Sequence, residues 1–585
     1  MKFKKVLALS IACVCAASTF VGCGGEKIEQ SYNEATTTVI RISNYDCGYG
    51  RTYIQKVAEK FMEAAKETVY ETGKKGVYID ITHSQTDTTG QSVLNTLDNT
   101  NKEIFFTTNV TPNMAKTSGK VMDLKEIISA TSADASYPYA EEASIKDRMY
   151  SDFKNYYVEE SGSAYTLPLF MGSYNFYYDA ELMESKKLYV SKDSTDEKVI
   201  LTGEKSEFNA GPDGKTGTED DGFPQTYAQF YLWCTEMKED KSVTPLTYSG
   251  QFNQHMTFAL NSLIADFEGK EDYKMLYTLK GEDVEGLVKE VDSDGNVLSY
   301  YDPMDITAEN GYMLTRKEGI LQAVRFAKTM ASNHSKWIDP LSFSQSQSHT
   351  GAQSTYILSK YTNNKILMFT DGGYWEAEAK SVFDQCESRN GGKMDRQFKL
   401  LPLPKATRAK VGTEDAPART TVGVTGELEL FVKKNVEASK LQAIKDFITF
   451  FHTEENMALE NVESGVPRPF NYTISDGMKA QMSTYNFSLY NTLHGENVDV
   501  VFKGSNEPMY LANTTEFNHY NWPLKTLYKT DKSDYRVLNF FYEQDRLQTD
   551  VDVKGYFNGI YNYTQYSAKA GSATNWQVMY NKIQG

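Results

Sequence analysis

The segment Val39-Ile-Arg-Ile-Ser-Asn-Tyr-Asp46 opens a run, continued to Phe106, in which strand and helix patterns take turns. Val39, Ile40 and Ile42 make a short strand, and Ile54, Val57, Ala58, Phe61, Met62 and Ala65 then recur at helical spacing as far as Glu67. Val77, Ile79 and Ile81 alternate as a second strand, Val93, Leu94 and Leu97 fall on a helix, and Ile104-Phe-Phe106 reads as a third strand. A β-α-β-α-β order implies a parallel, doubly wound sheet. Ligands of such sheets sit outside the carboxyl ends of the strands, here the turns Asn44 to Arg51 and Ser84 to Thr89. These turns are polar and aromatic rather than glycine-rich, so they are not phosphate cradles. They put Tyr45, Asp46, Gln85 and Asp87 forward as ligand contacts.

Upstream, Lys2, Lys4 and Lys5 precede an apolar stretch from Val6 to Val21 that ends at Val21-Gly-Cys-Gly-Gly25, the plan of a bacterial export signal. The small residue before Cys23 resembles a lipobox, in which the thiol takes a diacylglyceryl group and the cysteine becomes the first mature residue. The expectation is a signal peptide over 1–22, a lipid on Cys23 and a polar tether over 23–37. Two acyl chains anchor stably where one binds reversibly. The expected location is the extracellular face of the cell membrane. No later stretch approaches the roughly 20 apolar residues that span a bilayer.

A chain of 585 residues has room for two or more large lobes. Its 78 acidic and 61 basic residues give a net charge of −17, which argues against nucleic acid as a partner. Beyond the leader, Cys47, Cys234 and Cys386 are scattered and form neither a disulfide framework nor a zinc spacing. Ser-His-Asp, HExxH, Walker and Rossmann signatures are all missing, so the sequence reads as a non-enzyme that requires no cofactor.

Four later segments carry a resemblance. Tyr165-Thr-Leu-Pro168, with Tyr174 and Tyr177-Tyr-Asp179, is similar to the crossover segment of family 1 extracellular solute-binding proteins of ABC importers. Phe223-Pro-Gln-Thr-Tyr-Ala-Gln-Phe230 resembles that family's helix start, and Lys365-Ile-Leu-Met-Phe-Thr-Asp-Gly-Gly-Tyr-Trp375 its strand and cleft loop, with Asn364 in place of the usual glycine. Leu441 to Phe451 followed by Gly465-Val-Pro-Arg468 resembles its later helix and turn. The resemblance implies a two-lobed, periplasmic-binding-protein-like α/β fold, each lobe a doubly wound sheet flanked by helices and joined by a hinge. It implies a first lobe over 38–168 and 418–480 and a second over 169–417 and 481–585. It also implies a monomer that captures a carbohydrate, an oligosaccharide, in the cleft and hands it to ABC permease subunits without doing chemistry. A surface glycan adhesin with no transporter and a binder of a non-sugar solute are the alternatives.

A pyranose stacks its C–H face on an aromatic ring while its hydroxyls need convergent polar groups. Trp375 matches the family's cleft tryptophan and is the expected stacking platform, beside Asp371, Gly373 and Tyr374. Tyr174 lies next to the predicted hinge, and Ser249-Gly-Gln251-Phe252 follows an apparent strand at Pro245 to Tyr248 that faces the cleft from the other lobe. Arg468 clamps a hydroxyl pair or caps a helix, and Trp522 is either a second platform or a packing residue. The chain is long for the family, with surplus in Lys186 to Gly222 and Phe267 to Lys317. In the latter, Asp292-Ser-Asp-Gly295 reads as a hairpin turn. In the former, Asp213, Asp220 and Asp221 sit in a glycine-rich loop that reads either as a structural calcium site or as a solvated acidic loop.

Overall fold

In the computed structural model the described residues are 32–84, 90–504, 522–528, 537–544 and 551–584. The leader, Cys23, Gln85 and Asp87 therefore lie outside the described residues. The predicted opening is observed: β1 spans Thr38–Tyr45, a helix Thr52–Ala64, β2 Val77–Ser84, a short helix Gln91–Thr96 and β3 Ile104–Thr107. The first helix buries Tyr53, Ile54, Val57, Ala58 and Phe61 against the sheet, as its spacing requires. β1 pairs in parallel with both β2 and β3.

The chain then crosses to a second sheet in a single step. β4 (Leu167–Gly172) belongs to the first sheet and β5 (Tyr174–Asp179) to the second, so only Ser173 separates them. A small antiparallel pair, β6 (Tyr189–Val190) and β7 (Leu201–Thr202), fills part of the first surplus stretch. β8 (Val243–Thr247) joins the second sheet. The second surplus stretch holds β9 (Gly281–Val284), β10 (Val288–Val291), β11 (Val297–Tyr300) and β12 (Met304–Ile306), in which β10 pairs with β11 and β9 with β12. The predicted turn joins β10 to β11, where Asp292 Oδ1 accepts from the Asn296 amide at 2.7 Å and Gly295 takes a φ of 80°. β13 (Lys365–Gly372) and β14 (Phe398–Leu400) complete the second sheet in the order β14-β5-β13-β8.

The chain returns through β15 (Thr420–Val432) and adds β16 (Val498–Phe502), making the first sheet β16-β15-β3-β1-β2 with β4 on the flank of β15. Two expectations are corrected here. Both sheets are mixed, because β15 runs antiparallel to β3 and β4, and β5 antiparallel to β13 and β14. The first lobe also gains β4 as far as Gly172 and all of β16, because the 13 residues of β15 offer enough edge to pair with three strands. Residues 522–528, 537–544 and 551–584 return to the second lobe, where Trp522, Phe540 and Tyr556 enter its core.

Three sequence-predicted site residues are structural. Arg468 is fully buried, donates to the Leu169 carbonyl at 3.0 Å through Nε and pairs with buried Glu460 through Nη1. It braces β4 rather than reaching solvent. Trp522 is also buried, donates to the Leu276 carbonyl at 2.6 Å and lies 5.5 Å from the Trp576 ring, so it packs the C-terminal part onto the second surplus stretch. Trp375 has no exposed surface and sits among the rings of Tyr177, Phe369, Phe398 and Tyr485 at 5.2 to 5.9 Å.

The acidic loop forms a turn braced by its own carboxylates. Asp220 Oδ2 accepts from the Asp213 amide at 2.8 Å, Asp221 Oδ2 from the Gly217 amide at 2.7 Å, and Asp213 Oδ1 from the Lys215 amide at 2.7 Å. Carboxylates used this way set the turn geometry, and Asp220 Oδ1 and Asp221 Oδ1 both approach the Thr218 hydroxyl, at 2.5 and 3.4 Å. Among the described residues no group of three or more His, Cys, Asp or Glu side chains is placed to hold a metal ion. The loop instead docks on the connection before β15, where Thr216 donates to Glu414 at 3.0 Å and the Ala418 amide to the Asp213 carbonyl at 2.9 Å.

Candidate ligand site between the lobes

β13 ends at Asp371-Gly372, Gly373 and Tyr374 turn the chain, and the one-turn helix Trp375–Glu378 follows. Gly373 donates its amide to the Ser173 carbonyl at 2.8 Å and accepts from the Tyr485 hydroxyl at 2.8 Å, which pins the loop to the crossing between β4 and β5. A change of direction at the helix start separates two adjacent rings. Trp375 turns into the core, while Tyr374 is half-buried and reaches the first lobe. Its ring fills a slot between two glycines: a Cβ on Gly48 would fall 2.3 Å from Tyr374 Cδ2, and one on Gly372 2.5 Å from its Cε1. Tyr49 meets it edge-on at 5.4 Å, and the hydroxyls of Tyr174 and Tyr374 lie 3.4 Å apart. Residues from both lobes thus converge on one phenol.

Around Tyr374 the second lobe supplies a continuous polar and aromatic relay. Tyr174 packs 4.8 Å from Phe258 and 5.4 Å from His255, whose Nδ1 lies 2.9 Å from Asp371 Oδ1. Gln353 Nε2 donates to Asp371 Oδ2 at 3.0 Å and to Glu378 Oε2 at 2.6 Å, and Glu378 Oε1 lies 3.1 Å from His349 Nε2. Phe252 closes the circuit, perpendicular to His349 at 5.1 Å. The Glu378 hydrogen bond raises the pKa of His349 above its ordinary value. Burial, with Asp371 nearby, holds the Tyr374 phenol well above its usual range, so it stays a neutral donor. From the first lobe, burial also raises Glu427, which accepts from Thr425 at 2.9 Å, and pushes the Cys47 thiol up to about 12. A thiol that stays protonated is no nucleophile.

The structure brings together Tyr174, Phe252, Asp371, Gly373 and Tyr374 of the expected set. Tyr45 and Asp46 lie at the end of β1, where Tyr45 is half-buried and Asp46 is held by Arg51 Nε at 3.0 Å. Ser249 is buried and accepts from the Phe252 amide at 3.0 Å while donating to the Gln347 carbonyl at 3.1 Å, so it positions Phe252 rather than a ligand. Gln251 is exposed. Sequence reasoning missed Tyr49, His255, Phe258, His349, Gln353 and Glu378. His255 and Phe258 follow Phe252 at one-turn spacing, and Glu378 lies one turn beyond Tyr374, so helical periodicity from the recognised residues was the available signal.

No family model matches the sequence, and no curated protein matches it. Solved structures do share its fold. A protein of xylan utilization from the thermophilic bacterium Caldanaerobius polysaccharolyticus superposes with a TM-score of 0.51 at 10% identity, covering 90% of this chain and 99% of that one. Maltose-bound MalE3 of T. maritima gives 0.47 at 10% identity over 90% and 98% of the two chains. RafE of Streptococcus pneumoniae in its apo form gives 0.47 at 12% identity over 91% and 100%. At 10% identity the likeness to the xylan-utilization protein speaks for the fold alone, a two-lobed α/β fold.

Proposed function

We propose that this chain is an extracellular solute-binding protein that captures an oligosaccharide between its lobes and delivers it to an ABC permease. The observation that carries the reading is the slot in which Tyr374 of the second lobe meets Gly48 and Tyr49 of the first, next to the Asp371, Gln353 and Glu378 relay. Rings offer faces to the apolar side of a sugar, and the partly exposed end of the relay, His349 and Glu378, offers polar groups to its hydroxyls while buried Asp371 and Gln353 fix them in place. A solute that touches both lobes favours the closed form by its differential affinity, and the closed form is what a permease recognises. The xylan-utilization protein of the same fold agrees with a polysaccharide-derived ligand. Nothing in this reading calls for chemistry on the solute.

A thermal-shift screen against xylo-, malto- and raffinose-type oligosaccharides tests it, because a ligand at 100 times its Kd adds about 2.7 kcal/mol of stability. Tyr374→Ala should keep a cooperative melt and weaken binding of the best saccharide by roughly ten- to hundredfold, read by calorimetry. Unchanged affinity in that variant would move the site elsewhere.

The anchor is part of the same proposal. Cys23→Ser should release the protein from membranes or leave an unprocessed precursor, read by fractionation and the N-terminal mass. Full membrane retention of a correctly cleaved Cys23→Ser chain would remove the lipid from the account.

A further inference from the structure

A cavity of about 480 Å³ opens beside the same one-turn helix that carries the junction residues. Glu376 and Ala377 line it, whereas the flanking Tyr374 and Glu378 belong to the junction, so the two places share only this turn. Its walls come from both lobes. Val462 to Gly465 close the end of the helix Glu454–Ser464 on one side, and the helix Lys380–Arg389 stands opposite, with Gln481 to Thr484 between them. The volume lies in the range of small-molecule sites, roughly 300 to 1,000 Å³.

Charge selects the occupant. The charges of both basic side chains of the wall are matched, Lys380 by Asp384 at 3.0 Å and Arg396 by Asp179 at 2.7 Å through Nη1, although Nε and Nη2 of Arg396 are buried with no hydrogen-bond partner among the described residues. Glu463 is held by Lys56. Two carboxyl groups remain without a basic partner among the described residues: Glu376, which accepts only from Ser483 Oγ at 2.5 Å, and Glu387. Phe383, Met394 and Met482 supply apolar wall beside them. We propose that this cavity is a second ligand site and that it takes a small aliphatic cation, an ammonium group on a short hydrocarbon chain. The ammonium donates to Glu376 and Glu387, and the methylenes lie on the methionines and Phe383. A polyol of the same length would leave both carboxyl groups without a counter-charge.

Titration adds a signature. Burial pushes Glu376 up to about 7, against the hydrogen bond from Ser483, and the other charged groups that line the cavity are Lys380, Asp384 and Glu387 from one helix, Arg396 ahead of β14 and Glu463 from the other lobe. An ammonium binds the ionised form, so its affinity rises as pH increases through about 7 and a proton is released on binding below that pH.

The test is calorimetric titration of the mature protein with 1,4-diaminobutane, and with 1,4-butanediol as the uncharged control, on either side of that pH. The wild type should bind the diamine and not the diol, more tightly at the higher pH. Glu376→Gln should weaken binding on the order of tenfold and remove the pH dependence, and Glu387→Gln, at a partly exposed position, should weaken it similarly. If Glu376→Gln fails to fold, Glu387→Gln decides alone. Absent binding to the wild type, equal binding of the diol, or affinity unchanged by Glu387→Gln would each overturn the assignment.

Discussion

Trp375→Ala should destabilise the protein by about 3–5 kcal/mol, and saccharide affinity should change little in whatever fraction remains folded. The indole has no exposed surface and is ringed by Tyr177, Tyr356, Phe369, Phe383, Phe398 and Tyr485. Its removal leaves a cavity among large, rigid rings that cannot collapse inward, which puts the cost at the upper end for aromatic truncations. Trp375→Phe keeps most of the volume and should recover much of the loss. Chemical denaturation of both variants, with a saccharide titration under native conditions, checks this. A well-folded Trp375→Ala protein with normal stability and lost binding would reverse the assignment and return Trp375 to the cleft.

Arg468→Ala should be as damaging for a different reason. Arg468 and Glu460 are both fully buried, and burial holds the Glu460 carboxyl above its ordinary value even against the pull of Arg468. Removing the guanidinium leaves a buried acid with no counter-charge and frees the Leu169 carbonyl of β4, a loss of about 3–5 kcal/mol. Replacing both partners with apolar residues of similar volume, Arg468→Met with Glu460→Leu, should be much milder, because the desolvation penalty disappears with the pair. Equilibrium unfolding of the single and double variants separates the two outcomes. Equal losses in both would mean that Arg468 acts through its bond to Leu169 and not through charge.

Much of the fold is legible in the sequence because period and burial coincide. Ile40 and Ile42 alternate with half-buried Arg41 and Ser43 along β1, and Ile54, Val57, Ala58 and Phe61 repeat where the helix meets the sheet. The strands that close the first sheet are less legible. β16 holds the short run Val498-Asp-Val-Val-Phe502, whose partner is set by the length of β15 and not by any local pattern. The site shows the same division. The Asp371 to Trp375 segment can be located from its residues, yet which of two adjacent rings faces the ligand depends on the turn at the helix start. That turn is fixed by Gly373 bonding to Ser173 and Tyr485. Likewise, Arg468 carries no mark of its pairing with Glu460, which lies one helix end away. The Asp213, Asp220 and Asp221 loop has the composition of an ion site, but its own amides claim the carboxylates.

On the proposed function, one solute is held by both lobes at Tyr374. Hydrogen–deuterium exchange of the protein, with and without the saccharide that gives the largest thermal shift, addresses it directly. Exchange should slow at once in residues 45–51 of the first lobe and 371–378 of the second, with the Ser173 crossing following as the lobes close. Protection confined to one lobe, or found only around the cavity at 462–465 and 481–484, would contradict it.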